Sequence, residues 1–308
     1  MRYIHDTQNF TIEDSTVVTL GKFDGIHLGH LKLMETVRTK AFEYKAKSAV
    51  FTFDHIPVSL CPSANQSFIM TNTERRRVIE NLDIDILIEY PFTNFFMNME
   101  AEDFLKSIVR DMLHAKCVVV GTDYTFGKDR RGNAWMLESM AGELGFEVIV
   151  LEKECYEGRE ISSTYVREEL KVGHMETVNM LLGRPYSIYG IIAKGSQIGR
   201  TMQLPTINIY PPAGKLLPQN GVYASVTVIN GEQFYGVTNI GVKPTVKDSS
   251  EVSVETFLFD FERDIYGTEV TVQLRHFQRP EMKFGDIDAL HKQINLDIAF
   301  AKELFMIG

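Results

Sequence analysis

The sequence predicts two unlike folds in series: a parallel α/β domain, then a small antiparallel β-barrel that ends in a helix. Three observations carry this. In the first half, short apolar runs of strand character alternate with helix-like segments, the pattern of a parallel sheet covered by helices. From Tyr186 onward the runs are short, rich in β-branched and aromatic residues, and separated by turn residues. Residues 287–304 then carry apolar side chains at helical spacing. A chain of 308 residues is long enough for two cores. The change of pattern places the boundary near residue 184, which divides the chain into 1–183 and 184–308.

Taken in order, Val17-Val-Thr-Leu20 reads as a buried strand and residues 31–38 as the helix after it. Ala49-Val-Phe-Thr-Phe53 is the second strand, and 73–82 a helix capped by Thr71 or Asn72. Residues 84–90 give the third strand. Residues 101–113 place Phe104, Leu105, Ile108 and Leu113 at near-helical spacing, behind an acidic first turn. Cys117-Val-Val-Val120, a helix over 135–144 and Val148-Ile-Val-Leu151 complete the domain. Two short helices, 163–171 and 176–182, are separated by Gly173. The barrel strands are read at 188–192, 222–229, 234–237, 252–259 and 270–274, with Asn230-Gly231 as a hairpin turn. Residues 239–245 and 264–267 read as turns and scaffold, and 279–284 as a loop before the last helix.

The formal net charge of −9 and pI near 5.5 argue against a general nucleic-acid binder, which needs a basic face. The three cysteines, Cys61, Cys117 and Cys155, form no Cys-x-x-Cys pair, so a disulfide framework or zinc site is not expected. The first residues have no apolar signal-peptide core, and no run reaches the length of a membrane span. The expectation is a cytoplasmic protein acting on small molecules, with self-association left open.

The densest chemistry lies in Gly21-Lys-Phe-Asp-Gly-Ile-His-Leu-Gly-His30, between the first strand and the first helix. A strand, a glycine-containing turn and a helix N-terminus make an anion site. His27 and His30 are three apart and share a face, and Gly29 lets a ligand approach the backbone. Donors held this way stabilise charge on a phosphoryl group during displacement. No Gly-Lys-Ser/Thr follows, so this is not a Walker A loop.

These residues resemble the signature of the nucleotidyltransferase superfamily, in the longer form of the prokaryotic bifunctional riboflavin kinase/FAD synthetases. Val120-Gly-Thr-Asp-Tyr-Thr-Phe-Gly127 is similar to the family's second motif and Ile161-Ser-Ser-Thr-Tyr-Val-Arg167 to its third. The resemblance implies a Rossmann-like nucleotidyltransferase domain. It implies ATP contacts at Gly21, Phe23, Asp24, Gly25, Gly29, Ser162, Ser163, Thr164 and Arg167, and an FMN contact at Asp123. The third stretch also makes physical sense. Its hydroxyls start a helix, and Arg167 one turn on is suited to phosphate. By itself a plain helix cap would explain it; the first motif tips the balance.

Lys194-Gly-Ser-Gln-Ile-Gly-Arg-Thr-Met-Gln-Leu-Pro-Thr-Ile-Asn208 joins a glycine-containing loop to Pro-Thr-x-Asn. Gly195 and Gly199 allow backbone N–H groups to face phosphates, with Arg200 beside them. Thr206 and Asn208 offer hard oxygen ligands on one side of an extended segment, suited to Mg²⁺ with ATP. The stretch resembles the riboflavin kinase motif, with departures at Gln203, Leu204 and Ile207. Glu255 shares a strand face with Phe257 and Phe259, where a carboxylate needs a partner, and the resemblance implies that it is the catalytic base. Arg279 and Phe284 are similar to a flavin-side loop.

The resemblance thus implies a bifunctional enzyme with riboflavin, FMN and FAD as substrates and products, ATP as co-substrate and Mg²⁺ as cofactor. Riboflavin would be phosphorylated to FMN, and FMN adenylylated to FAD with release of pyrophosphate. Three other readings stay open at this level: an FAD synthetase whose barrel only binds flavin, a nucleotidyltransferase making another product, and a nucleotide-binding regulator without turnover.

Overall fold

The computed structural model describes residues 1–54, 67–193, 206–243 and 251–307. The chain divides into two compact units, Met1–Ser163 and Thr164–Gly308.

The first unit is built on a six-stranded parallel sheet. Its strands are β1 (Arg2–His5), β2 (Thr16–Leu20), β3 (Lys47–Phe53), β4 (Ile86–Tyr90), β5 (Ala115–Gly121) and β6 (Glu147–Leu151), in the order β1-β4-β3-β2-β5-β6. Every residue of β2 is buried, so both faces of the sheet are covered there. Helices α1 (Leu28–Tyr44), α2 (Asn72–Glu80) and α4 (Ala134–Leu144) match the periodic segments. Thr71 caps α2 in a reciprocal box with Glu74. The strand order reverses between β2 and β5, and in open α/β sheets ligands bind in the crevice beyond such a switch point.

Strand β1 and the segment over 101–113 are among the elements that differ from the sequence expectation. Strand β1 was not expected; it adds to β4 at the sheet edge and buries Ile4. The segment read as an α-helix over 101–113 is α3, in which Ala101–Asp103 runs on as a π-helix over Phe104–Met112. The Leu113 N–H reaches back five residues to the Ile108 carbonyl. The wider turn lets Phe104, Leu105, Ile108 and Val109 all enter the core.

The second unit begins with α5 (Ser163–Val172, whose first residue closes the first unit) and α6 (Met175–Leu182). A six-stranded antiparallel sheet follows: β7 (Tyr186–Ile191), β8 (Thr206–Ile209), β9 (Gly221–Ile229), β10 (Glu232–Lys243), β11 (Glu251–Leu258) and β12 (Glu269–Pro280), in the order β7-β12-β9-β10-β11-β8. A bridge from Ala193 to Asn208 joins the end of β7 to β8, so the sheet closes on itself. Gly190 is required at that seam, because a Cβ there would lie 2.2 Å from Ile209 Cγ2. Asn230 and Gly231 both have positive φ, 49° and 85°, as a type I′ hairpin demands. Helix α7 (Ile287–Leu304) lies on the outer face of the barrel, where Ala301 packs with Val222, Ala224 and Val237.

By compactness the units divide after Ser163, the first residue of α5, so that the rest of α5 and all of α6 lie with the barrel strands. The reason is packing. The Asn179 side chain donates to the Leu274 carbonyl and accepts from Tyr186 N–H, and Glu176 pairs with His276. Both helices are thereby held to barrel strands. The barrel strands are also longer than their apolar runs. Residues 234–237 and the stretch from 239, read as a strand and then turns, form the single strand β10; Gly236 and Gly241 break its alternation in the sequence. Arg279, expected in a loop, is on β12.

Among the described residues no helix is long and apolar enough to cross a membrane. Cys117 on β5 is buried and Cys155 exposed, and both are free thiols. Burial pushes the Cys117 thiol up to about 11, so little thiolate forms near neutrality. At about pH 8 iodoacetamide therefore labels Cys155 and leaves Cys117 intact until urea unfolds the domain, as read by peptide mass spectrometry. Labelling of Cys117 at the same rate as Cys155 would contradict its burial. In the second unit Arg279 and Asp297 form a two-pronged ion pair, with side chains only 16% and 6% exposed. Asp297→Ala should cost about 3 kcal/mol in urea unfolding, because the largely buried Arg279 is left without its carboxylate.

Candidate active sites

The loop from β2 to α1 is held in an unusual path. Phe23, Gly25 and Ile26 have positive φ of 47°, 90° and 43°, a region that bulky residues rarely adopt. Several bonds impose it. The Lys22 carbonyl accepts from Thr52 Oγ1 at 3.1 Å and from Arg75 Nη1 at 3.2 Å. Asp24 Oδ1 accepts from the backbone N–H groups of Ile69 and Met70, at 2.8 and 3.2 Å. Ser163 Oγ donates to the Asp24 carbonyl at 2.7 Å. Arg75 is itself fixed by a buried ion pair with Glu89 and by the Phe53 carbonyl.

This path delivers His27 to the N-cap of α1, where its side chain makes no cap hydrogen bond. Its ring stacks on that of His30, with centroids 3.7 Å apart, and Phe23 meets His30 edge-on. A Cβ on Gly29 would come within 3.3 Å of the His27 ring, so a larger residue there presses on the imidazole.

Beyond the strand ends lies a cavity of about 700 Å³. Gly21, Phe23, His27, Gly29 and His30 line it, with Gly121 and Asp123 after β5 and Ser162 and Ser163 at the end of the unit. Phe53, Phe92, Phe96, Phe104 and Phe126 supply an aromatic lining. Asp24 and Gly25 shape the loop and do not line the cavity. Lys153 does line it, and the sequence reading passed it over. Hydrogen bonds to Glu160 and then Asp123 hold its ammonium above the usual lysine range, so it is charged at neutral pH. Asp129 and Arg130 also line the cavity. Thr164 and Arg167 sit three apart on α5, in the second unit.

The barrel places its candidates by register. Glu255 on β11 is paired with Asn208 on β8 and with Asn239 on β10. Directly paired residues share a sheet face. The row continues through Val222 to Arg279. Thr206, two residues from Asn208 and on the same face, donates through Oγ1 to Glu255 Oε1 at 2.7 Å. The carboxylate thus has the partner that its aromatic neighbours required. Asn208 is buried, and Ile207 points to the opposite face.

Arg279 was expected to face flavin. Its guanidinium is engaged by Asp297 of α7 and lies 5.9 Å from the Phe284 ring centre. The sequence reading missed Asn239, hidden among apparent turn residues, and Asp297, one acid among several on the last helix. Gly195, Gly199 and Arg200 lie outside the described residues. Among the described residues no cluster of three His, Cys, Asp or Glu side chains is placed to hold a metal. Thr206 offers a different donor: having given its proton to Glu255, its oxygen retains lone pairs for a cation.

A family model described as FAD synthetase matches residues 10–165, and one described as riboflavin kinase matches 182–305. A protein of Haemophilus influenzae named bifunctional riboflavin kinase/FMN adenylyltransferase is 35% identical, over 94% of each chain. A protein of the same name from Listeria monocytogenes is 34% identical over 96% of this chain and 95% of its own. A crystal structure described as a macrolide-efflux protein from Streptococcus pneumoniae superposes with a TM-score of 0.87 at 29% identity, covering 97% of this chain and 98% of that one. The two matched segments and the near full-length relatives agree: the chain belongs to the family of bifunctional riboflavin kinase/FMN adenylyltransferases.

Proposed function

We propose that the barrel phosphorylates riboflavin to FMN and that the first unit joins FMN to the adenylyl group of a second ATP, giving FAD and pyrophosphate. The Thr206–Glu255 hydrogen bond carries the reading over a barrel that merely binds flavin. It puts a carboxylate beside the Pro-Thr-x-Asn segment, and the departure at Ile207 faces away from it.

In the kinase step Glu255 accepts the proton of the ribityl 5′-hydroxyl. The oxygen forms its bond to the γ-phosphorus as the bond to the β-phosphate oxygen breaks, and ADP departs. Thr206 orients the carboxylate. Mg²⁺, held by Thr206 and Asn208, would neutralise charge on the ATP phosphates. Gly195, Gly199 and Arg200 are assigned to those phosphates on their sequence alone. The place of Arg279 and Phe284 is at the flavin end of the row, with Arg279 acting as the anchor of α7.

In the adenylyl step no side-chain nucleophile is needed, since the FMN phosphate is already anionic. Its oxygen attacks the α-phosphorus of ATP and pyrophosphate leaves. His27 and His30 stabilise the charge that builds on the equatorial oxygens. Gly21 and Gly29 admit the phosphates close to the backbone, and Ser162 and Ser163 contact the leaving group. Thr164 and Arg167 join that role on the strength of their motif. Asp123 is assigned to FMN, and the aromatic lining suits a fused ring. Phe23 supports His30, while Asp24 and Gly25 maintain the loop. A cytoplasmic setting, where ATP is plentiful and thiols stay reduced, completes the proposal.

Glu255→Gln should lower riboflavin phosphorylation by at least about 100-fold while FMN is still converted to FAD, as chromatography of the flavins would read. Retained kinase turnover would remove Glu255 from the role of base. His30→Asn should cut pyrophosphate release from ATP and FMN by about 100-fold or more, with the kinase step unchanged. Equal loss of both steps would point to a folding defect rather than a local one.

A further inference from the structure

The inward face of α7 is fully employed. Asp297 holds Arg279, and Ala301 and Ile298 pack on the barrel. On the opposite side of the helix, at 100° per residue, run Lys292, Leu296, Ala299 and Glu303. Their spacing of four, three and four is that of a helix-packing seam. Leu296 is 55% exposed and Phe300, beside the seam, 42%; Met306, just past the helix, is 94% exposed. Scattered apolar residues on a surface are ordinary. Leu296 and Ala299 lie in one line, with a cation, Lys292, at one end and an anion, Glu303, at the other.

The seam is complementary to itself. In an antiparallel pair of α7 helices with the two-fold axis between residues 297 and 298, Lys292 faces Glu303 of the second copy, and Glu303 faces its Lys292. Leu296 meets Ala299 of the second copy, so a large side chain opposes a small one there. A parallel pair would instead set Lys292 against Lys292 and Glu303 against Glu303. We propose that a second copy of this chain docks antiparallel on the outward face of α7, through Lys292, Leu296, Ala299 and Glu303, to form a two-fold dimer. Exposed ion pairs add little affinity but set orientation. A single helix face is a small interface, so the dimer is a weak and reversible one.

The test is sedimentation equilibrium of the full chain over a wide concentration range, for the wild type, Lys292→Glu, Glu303→Lys, the double reversal and Leu296→Asp. All the substituted side chains are exposed on the helix surface, so the fold is kept. The wild type should show a monomer–dimer equilibrium that weakens as salt is added. Each single reversal should raise the dissociation constant by about tenfold, and the double reversal should recover most of the loss. Leu296→Asp should remain monomeric. A wild type that is monomeric throughout would overturn the proposal. So would self-association that Leu296→Asp leaves intact, or a double reversal no better than either single one.

Discussion

The first unit depends on the backbone path between β2 and α1. Holding Phe23 and Ile26 in the left-handed region costs about 1–3 kcal/mol each. Both side chains are almost completely buried, which returns roughly 1.5–3 kcal/mol apiece. The remaining support comes from outside the loop: Asp24 grips the backbone at Ile69 and Met70, Arg75 and Thr52 hold the Lys22 carbonyl, and Ser163 holds the Asp24 carbonyl. Without these ties the loop would relax, and the two imidazoles that line the cavity would no longer be held in their stack. The buried Arg75–Glu89 pair is therefore best understood as a positioning device, since buried pairs contribute little net stability by themselves.

The second unit solves the same problem by register. No loop has to be forced, because β-sheet pairing aligns Asn208, Glu255 and Asn239 as neighbours on one face. A shift of one residue in β11 would carry Glu255 to the other side of the sheet. The register is secured on that other face by a chain of buried hydroxyls, in which Thr238 bonds to both Ser225 and Thr256. The Arg279–Asp297 pair then ties α7 to the strand that carries the end of the same row.

Much of this was legible in the sequence where the signal was local. The helix over 287–304 and the Asn230-Gly231 hairpin follow from spacing and turn chemistry within a few residues. The stretch from Gly21 to His30 stood out because strand, glycines and histidines coincide in one short segment. Its internal division of labour did not. Asp24 and Gly25 read as ligand contacts equal to His27, and only the fold shows that Asp24 binds the Ile69 and Met70 backbone and that neither residue lines the cavity. Strand β10 was cut short because two glycines interrupt its alternation, and Asn239 was lost with it. Strand β1 was overlooked because four residues at a sheet edge carry almost no periodic signal.

What the sequence by itself determined is the succession of a parallel α/β unit and an antiparallel barrel, and which short motifs stand out as candidate sites in each. These depend on hydrophobic period, turn residues and short motifs, all of which are properties of neighbouring residues. What only the tertiary structure decided is partnership across long separations. Thr206 with Glu255, Arg279 with Asp297, Arg75 with the Lys22 carbonyl, and α5 and α6 with the barrel are all contacts of this kind. Such pairs are set by strand order, register and packing, in which a residue's nearest neighbours in space are remote along the chain.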